Sequence, residues 1–267
     1  MRLLSIASGS SGNCIYIGAE NTHILVDAGI SGKRVEAGLN ENNLTTKDVN
    51  GILITHEHSD HISGLGVLAR KCHIPIYATK ETLAEIRSMP SLGKIEDELY
   101  QEIAPDQEFW IQQIRIRPFS ISHDAANPVG YRFFHRNCSV AVATDMGKYN
   151  DYIVENLKGL DAILLEANHD IRMLEMGSYP YLLKQRILGD YGHLSNECSG
   201  KLLSRVLHDG LRHIVLGHLS RENNYEELAY ETVKLEIAMG ENTYTGKEFP
   251  ISIAKRDRAI KMIQIEK

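Results

Sequence analysis

No run of about 18 consecutive apolar residues occurs in the chain, so no membrane-spanning helix is expected. The opening Met1-Arg2-Leu3-Leu4-Ser5-Ile6 gives way to a Ser/Gly loop too soon to be read as a signal peptide. Cysteine is scarce. Cys14, Cys72, Cys138 and Cys198 stand far apart with no CxxC pair, which argues against a disulfide frame or a zinc ribbon and for free thiols in a reducing, cytoplasmic setting. Positive charge is also in deficit: 29 Lys and Arg against 35 Asp and Glu leave a net charge of -6. A broad basic face for nucleic acid is therefore not expected, and any polyanion must be met by local charge. Low-complexity tracts, short repeats and linkers are missing too, so residues 1–267 are read as a single domain.

What is present is concentrated in one stretch. Thr55-His56-Glu57-His58-Ser59-Asp60-His61 follows the apolar run Gly51-Ile52-Leu53-Ile54, which reads as a buried strand. In an extended segment residues i and i+2 point the same way, so His56 and His58 can reach one metal ion together. Asp60 and His61 lie where the chain turns into a helix and can face a second. Imidazoles mixed with carboxylate suit Zn, Mn or Fe better than Mg or Ca.

Around this stretch the pattern alternates strand and helix, which argues for an α/β fold with a largely buried sheet. Strands are expected at 3–7, 14–18, 23–27, 110–119, 129–134, 140–143, 161–166 and 213–216, with two more near 251–254 and 259–265. Helices are expected from Ser31 (as N-cap) to Leu39, from about His61 to Cys72, and over 80–89, 149–157, 181–188, 195–207 and 225–239. Residues 91–108 are mixed, and 169–190 are too short and mixed to be read as a projecting arm.

HxHxDH behind a strand resembles the metallo-β-lactamase superfamily. That family's other stations also occur in order: Asp27 in Leu25-Val26-Asp27-Ala28-Gly29, His123 in Ser120-Ile121-Ser122-His123-Asp124, Asp145 in Ala143-Thr144-Asp145-Met146-Gly147, and His218 in Leu216-Gly217-His218-Leu219-Ser220. Ser8-Gly9-Ser10-Ser11-Gly12-Asn13-Cys14 and the segment from Gly217 to Asn224 resemble the YycJ/WalJ branch more narrowly. The resemblance implies a four-layer αββα sandwich and a dinuclear metal-dependent hydrolase using a metal-bound hydroxide. His56, His58 and His123 would hold one ion, Asp60, His61 and His218 the other, and Asp145 would bridge two divalent ions, Zn or Mn, or Fe. Asp60 thus also stands among the catalytic groups. Asp27 would hold a ligand ring in place.

The segment Gly192-His193-Leu194-Ser195 is similar to a Gly-His-Ser segment of RNase Z-type enzymes, in which an earlier Glu orients the His. Glu166 matches that Glu, so His193 is expected to donate a proton to the leaving group. Ser220, Arg221 and Asn223, just after His218, are candidates for binding substrate phosphate. His218-Leu219-Ser220-Arg221 is one residue shorter than the family's His-x-Ser-x-Arg.

The branch implies a phosphodiesterase or nuclease, 5′-to-3′ exonuclease-like, acting on nucleic acid (DNA before RNA) or on a small phosphodiester. The ligands alone would equally suit a hydrolase of a small ester, thioester or lactone; Arg221 and the Glu166–His193 pair favour phosphate. A non-enzymatic scaffold would not need every ligand position filled.

Overall fold

The computed structural model describes residues 1–266. Its strands form two mixed seven-stranded sheets, and the chain divides into two compact units. The first unit holds Met1–Ser120, Ala125–Cys138 and the C-terminal residues from Lys255; the second holds Ile121–Asp124 and Ser139–Ala254.

In the first unit, β1 (Arg2–Ala7), β2 (Cys14–Ala19) and β3 (Thr22–Val26) form an antiparallel meander. Then β4 (Gly51–Leu53), β5 (Ile76–Thr79) and β6 (Tyr100–Ile103) add in parallel, and the short β14 (Ile263–Gln264) pairs with β1. Parallel strands need crossovers. These are α1 (Gly32–Asn40), α2 (Ser59–Ile62) with α3 (Leu65–Cys72), and α4 (Lys80–Ser88). Leu4, Ile6, Tyr16, Leu25, Ile52 and Ile76 of the sheet share one core with Val35 and Leu39 of α1, Leu65 and Leu68 of α3, and Leu83 and Ile86 of α4. Ser31 caps α1 as expected, its hydroxyl accepting from the Arg34 amide. The unit also contains an antiparallel meander of β7 (Phe109–Ile111), β8 (Ile114–Ser120) and β9 (Val129–His135).

In the second unit β10 (Cys138–Ala143), β11 (Ala162–Glu166), β12 (His213–Gly217) and β13 (Ile251–Ile253) run in parallel. They are linked by α5 (Asp151–Leu157), α6 (Ile171–Met176), α7 (Tyr181–Leu188), α8 (Asn196–Val206) and α9 (Glu226–Met239). Ser195 caps α8 by accepting from the Cys198 amide.

Three local expectations need correction. The helix read from His61 to Cys72 breaks into α2 and α3 at Gly64, where a Cβ would lie 2.0 Å from the Ile30 carbonyl oxygen. The strand read over 110–119 is a hairpin, because the chain reverses at Gln112 with φ of 47°. Two polar residues in alternating sequence do not announce such a turn. The helix expected over 181–188 is present as α7, and α6 precedes it in the stretch read as mixed. The last strand shrinks to Ile263–Gln264. Among the described residues no helix is long and apolar enough to cross a membrane.

Candidate metal centre

The first unit's share of the site begins with a register. Val26 of β3 pairs with Leu53 of β4, so both strands end at one edge. The Asp27 amide donates to the Leu53 carbonyl at 2.8 Å, and the chain turns through a left-handed conformation at Asp27, φ 62°. Asp is among the few side chains that tolerate this region. The turn brings the buried Asp27 carboxylate under Thr55 and His61. It accepts from the Thr55 amide (2.9 Å), the Thr55 hydroxyl (2.9 Å) and His61 Nδ1 (2.7 Å). Burial pushes the Asp27 carboxyl up, while His61 and Thr55 pull it back down.

These partners decide tautomers. His61 donates through Nδ1, leaving Nε2 as its lone-pair atom. The Thr55 hydroxyl, donating to Asp27, is 3.0 Å from His56 Nδ1 and can accept from it. His56 Nε2 is then also a lone-pair atom. The His56 ring centroid lies 4.1 Å from that of His61 and 4.6 Å from that of His58. His56 and His61 are fully buried and His58 half-buried. Imidazoles this close repel when protonated, so the cluster suits neutral rings that can share a divalent metal ion. Asp60 Oδ2 stands 3.5 Å from His61 Nε2. A Cβ on Gly29 would meet the Asp60 carbonyl oxygen at 1.6 Å, so glycine there lets the Asp60–His61 turn close on the Asp27 segment.

In the second unit the parallel register Ala143–Leu165 and Glu166–Gly217 delivers Asp145, Glu166 and His218 to a common edge. Asp145 (φ 60°) and His218 (φ 55°) are also left-handed. Each turn is anchored: Met146 N donates to Glu166 Oε2 at 2.9 Å, and Asn168 Nδ2 donates to the His218 carbonyl at 2.9 Å. Glu166 Oε1 accepts from both His193 Nδ1 (2.8 Å) and His218 Nδ1 (2.9 Å). Burial would raise the Glu166 pKa; the charges and hydrogen bonds of His193 and His218 outweigh it and hold the group below the usual carboxylate range. One candidate ligand atom from each of Asp145, Glu166, His193 and His218 lies within 4.8 Å of the others. His123 Nδ1 is 3.1 Å from the Gly192 carbonyl oxygen, and burial lowers the His123 pKa against the pull of Asp145. That favours the neutral imidazole a metal requires.

The structure therefore supplies, in each unit, buried imidazoles tied through Nδ1 to an oxygen and offering Nε2. This is the arrangement metal-ligating histidines take. Of the other expected residues, Ser220 is buried and accepts from the Asn223 amide (3.2 Å), and Arg221 is exposed. Asn223 does not lie on an open edge. It is 1% exposed, and its side-chain amide makes no hydrogen bond among the described residues. Thr55, Asn13 and Asn168 had no role assigned from sequence; their only signal was adjacency to His56, membership of the Ser8–Cys14 pattern, and proximity to Glu166. His169 is buried beside Asn168, and burial lowers its pKa to about 4.

Thr55→Val should keep the shape of residue 55 but lose the hydroxyl that joins Asp27 to His56. Metal affinity, measured by chelator competition, is expected to fall roughly 10–100-fold with the secondary structure intact.

Comparison with known proteins decides the family. A model of the beta-lactamase superfamily domain matches residues 22–219. This chain belongs to the metallo-β-lactamase superfamily. Within the superfamily it is YycJ/WalJ-like. It is 43% identical over 236 residues to "Exodeoxyribonuclease YycJ" of Bacillus anthracis, covering 85% of this chain and 86% of that one. It is 40% identical over 260 residues to "Exodeoxyribonuclease WalJ" of Streptococcus pneumoniae serotype 2 (strain D39 / NCTC 7466), covering 97% and 96%. Zn(2+)-bound PqqB from Methylobacterium extorquens shares the fold, with a TM-score of 0.71 at 15% identity over 98% of this chain and 100% of that one. The fold class is thus the superfamily's four-layer αββα sandwich, and this YycJ/WalJ-like protein is a metal-dependent hydrolase whose His and Asp clusters suit divalent metal.

Proposed function

We propose that this protein is an exodeoxyribonuclease that hydrolyses DNA phosphodiester bonds from the 5′ end, DNA being favoured as the substrate over RNA or a small phosphodiester. The observation that carries the reading is the set of buried imidazoles tied at Nδ1, together with two relatives of nearly full coverage that are named exodeoxyribonucleases. Residues 1–267 would act as one catalytic domain working in the cytoplasm. His56, His58 and His123 would hold one divalent ion, Asp60, His61 and His218 a second, and Asp145 would lie between them; Zn or Mn, or Fe, suits these ligands. When bound, the ions supply positive charge for the transition state and lower the pKa of a coordinated water.

The chain's own groups do the rest. Asp27 holds His61 in the tautomer that offers Nε2. Glu166 does the same for His218 and also fixes His193 through Nδ1. The other ring nitrogen of His193, on a side chain 17% exposed, then carries the proton for the departing oxygen. Arg221 provides a forked donor for phosphate, with Ser220 and Asn223 shaping the backbone beneath it.

The test is direct. Metal-loaded protein is incubated with end-labelled single- and double-stranded DNA and RNA, and in parallel with bis-p-nitrophenyl phosphate, nitrocefin and S-lactoylglutathione. The expected result is a ladder of DNA products shortened from the 5′ end. Turnover of the ester or thioester with no phosphodiester cleavage would overturn the reading in favour of a small-ester hydrolase.

A further inference from the structure

Residues from three distant parts of the chain meet at the Ser8–Asn13 loop of the first unit. Gly9 has φ of 146°, a backbone conformation that L side chains rarely adopt. The Arg256 side chain lies across the space a Cβ would fill there: its Cγ is 2.8 Å, and its Cδ and Nε 3.4 Å, from that position. The contact is fixed from both sides. The Ser8 amide donates to the Lys255 carbonyl at 2.9 Å, and Arg34 Nη2 donates to the Arg256 carbonyl at 2.8 Å. Ser10 and Ser11, at the tip of the loop, are exposed.

The other end of the loop reaches the metal ligands. Asn13 Oδ1 accepts from the Gly9 amide at 2.8 Å, and Asn13 Nδ2 lies 3.2 Å from the Gly9 carbonyl oxygen. The Asn13 amide donates to the Asp60 carbonyl at 2.7 Å, and Asn13 Nδ2 lies 3.1 Å from His61 Nε2. One buried asparagine thus links the glycine under Arg256 to the residues expected to hold metal. In a chain of net charge -6, two arginines, Arg34 and Arg256, meet at this loop, with Asp257 next in sequence and the Asp60 carboxylate 3.5 Å from Asn13 Nδ2.

We propose that the Ser8–Asn13 loop, with Arg256 laid across it and Arg34 behind it, is a phosphate subsite that holds the polynucleotide backbone beside Asp60 and His61. The inference rests on the nuclease reading above. A guanidinium presents a planar fork to phosphate oxygens, and glycines and serines let a backbone come close without an intervening side chain. The subsite supplies locally the positive charge that the overall composition lacks.

Arg256→Gln keeps the aliphatic stem over Gly9 and removes the charge; Arg256→Lys keeps the charge and removes the fork. Binding of a fluorescein-labelled single-stranded oligodeoxynucleotide is measured by anisotropy in chelator at several salt concentrations, so the readout is independent of turnover. Arg256→Gln should weaken binding on the order of tenfold and reduce the slope of log K against log salt by about 0.7. Arg256→Lys should keep the slope and recover only part of the affinity. On metal-loaded protein, Arg256→Gln should raise KM for the oligonucleotide more than it lowers kcat, and should impair oligonucleotide cleavage more than bis-p-nitrophenyl phosphate turnover. Wild-type affinity and slope in Arg256→Gln would overturn the subsite while leaving nuclease activity in place. Failure of the wild-type protein itself to bind or cleave any oligonucleotide, with bis-p-nitrophenyl phosphate still turned over, would remove the nuclease reading and the subsite together.

Discussion

Asp145→Asn is expected to lose bound metal and phosphodiester turnover together. The carboxylate is 1% exposed, and its Oδ1 lies 3.2 Å from His218 Nδ1 and 3.9 Å from His123 Nε2, between two expected ligands. Asn is the informative replacement because residue 145 has φ of 60°, a left-handed conformation that Asn tolerates and Ala does not. The backbone turn should survive, so the loss can be assigned to charge. Metal content measured by mass spectrometry should fall, and kcat/KM should drop by more than the roughly 10–100-fold that loss of an outer hydrogen-bond partner costs. Full turnover in the Asn variant, with metal content at the wild-type level, would contradict a bridging role.

His193→Ala should behave differently. Metal content is expected to stay, while kcat on DNA falls by about 10²–10⁴-fold, the usual share of a general acid. The loss should shrink on bis-p-nitrophenyl phosphate, whose phenolate leaves without needing a proton. Equal losses on both substrates would mean that His193 positions substrate and does not protonate the leaving oxygen. Glu166 provides the contrast. Its Oε1 accepts from both His193 and His218, and its Oε2 accepts from the Met146 and Leu194 amides. Removing that carboxylate should therefore disturb metal and rate together, where His193→Ala separates them.

Most of the architecture could be read from periodicity, because the parallel strands are buried apolar runs bounded by polar turns. Reading failed where no burial pattern existed. The β7–β8 turn is made of two glutamines, and the break at Gly64 is set by a contact with Ile30, distant in sequence. The site was legible in a different way. HxHxDH is a short local word, and the later Asp and His stations match the superfamily's pattern in order, so the resemblance named the candidate ligands. What orients them could not be named, because each orienting contact depends on a turn or a register.

Sequence by itself singled out which His, Asp and Glu side chains are candidates for holding metal, since these groups carry their ligand chemistry wherever they stand. It also determined the superfamily, because that set occurs in a fixed order behind a strand. Only the tertiary structure decided which nitrogen His56, His61, His123 and His218 offer. That follows from the left-handed turns at Asp27, Asp145 and His218 and from the partners Thr55, Glu166 and Asn168 that those turns bring within hydrogen-bond reach. It likewise decided that Arg256 lies on Gly9, a contact across the length of the chain made possible by the absence of a Cβ.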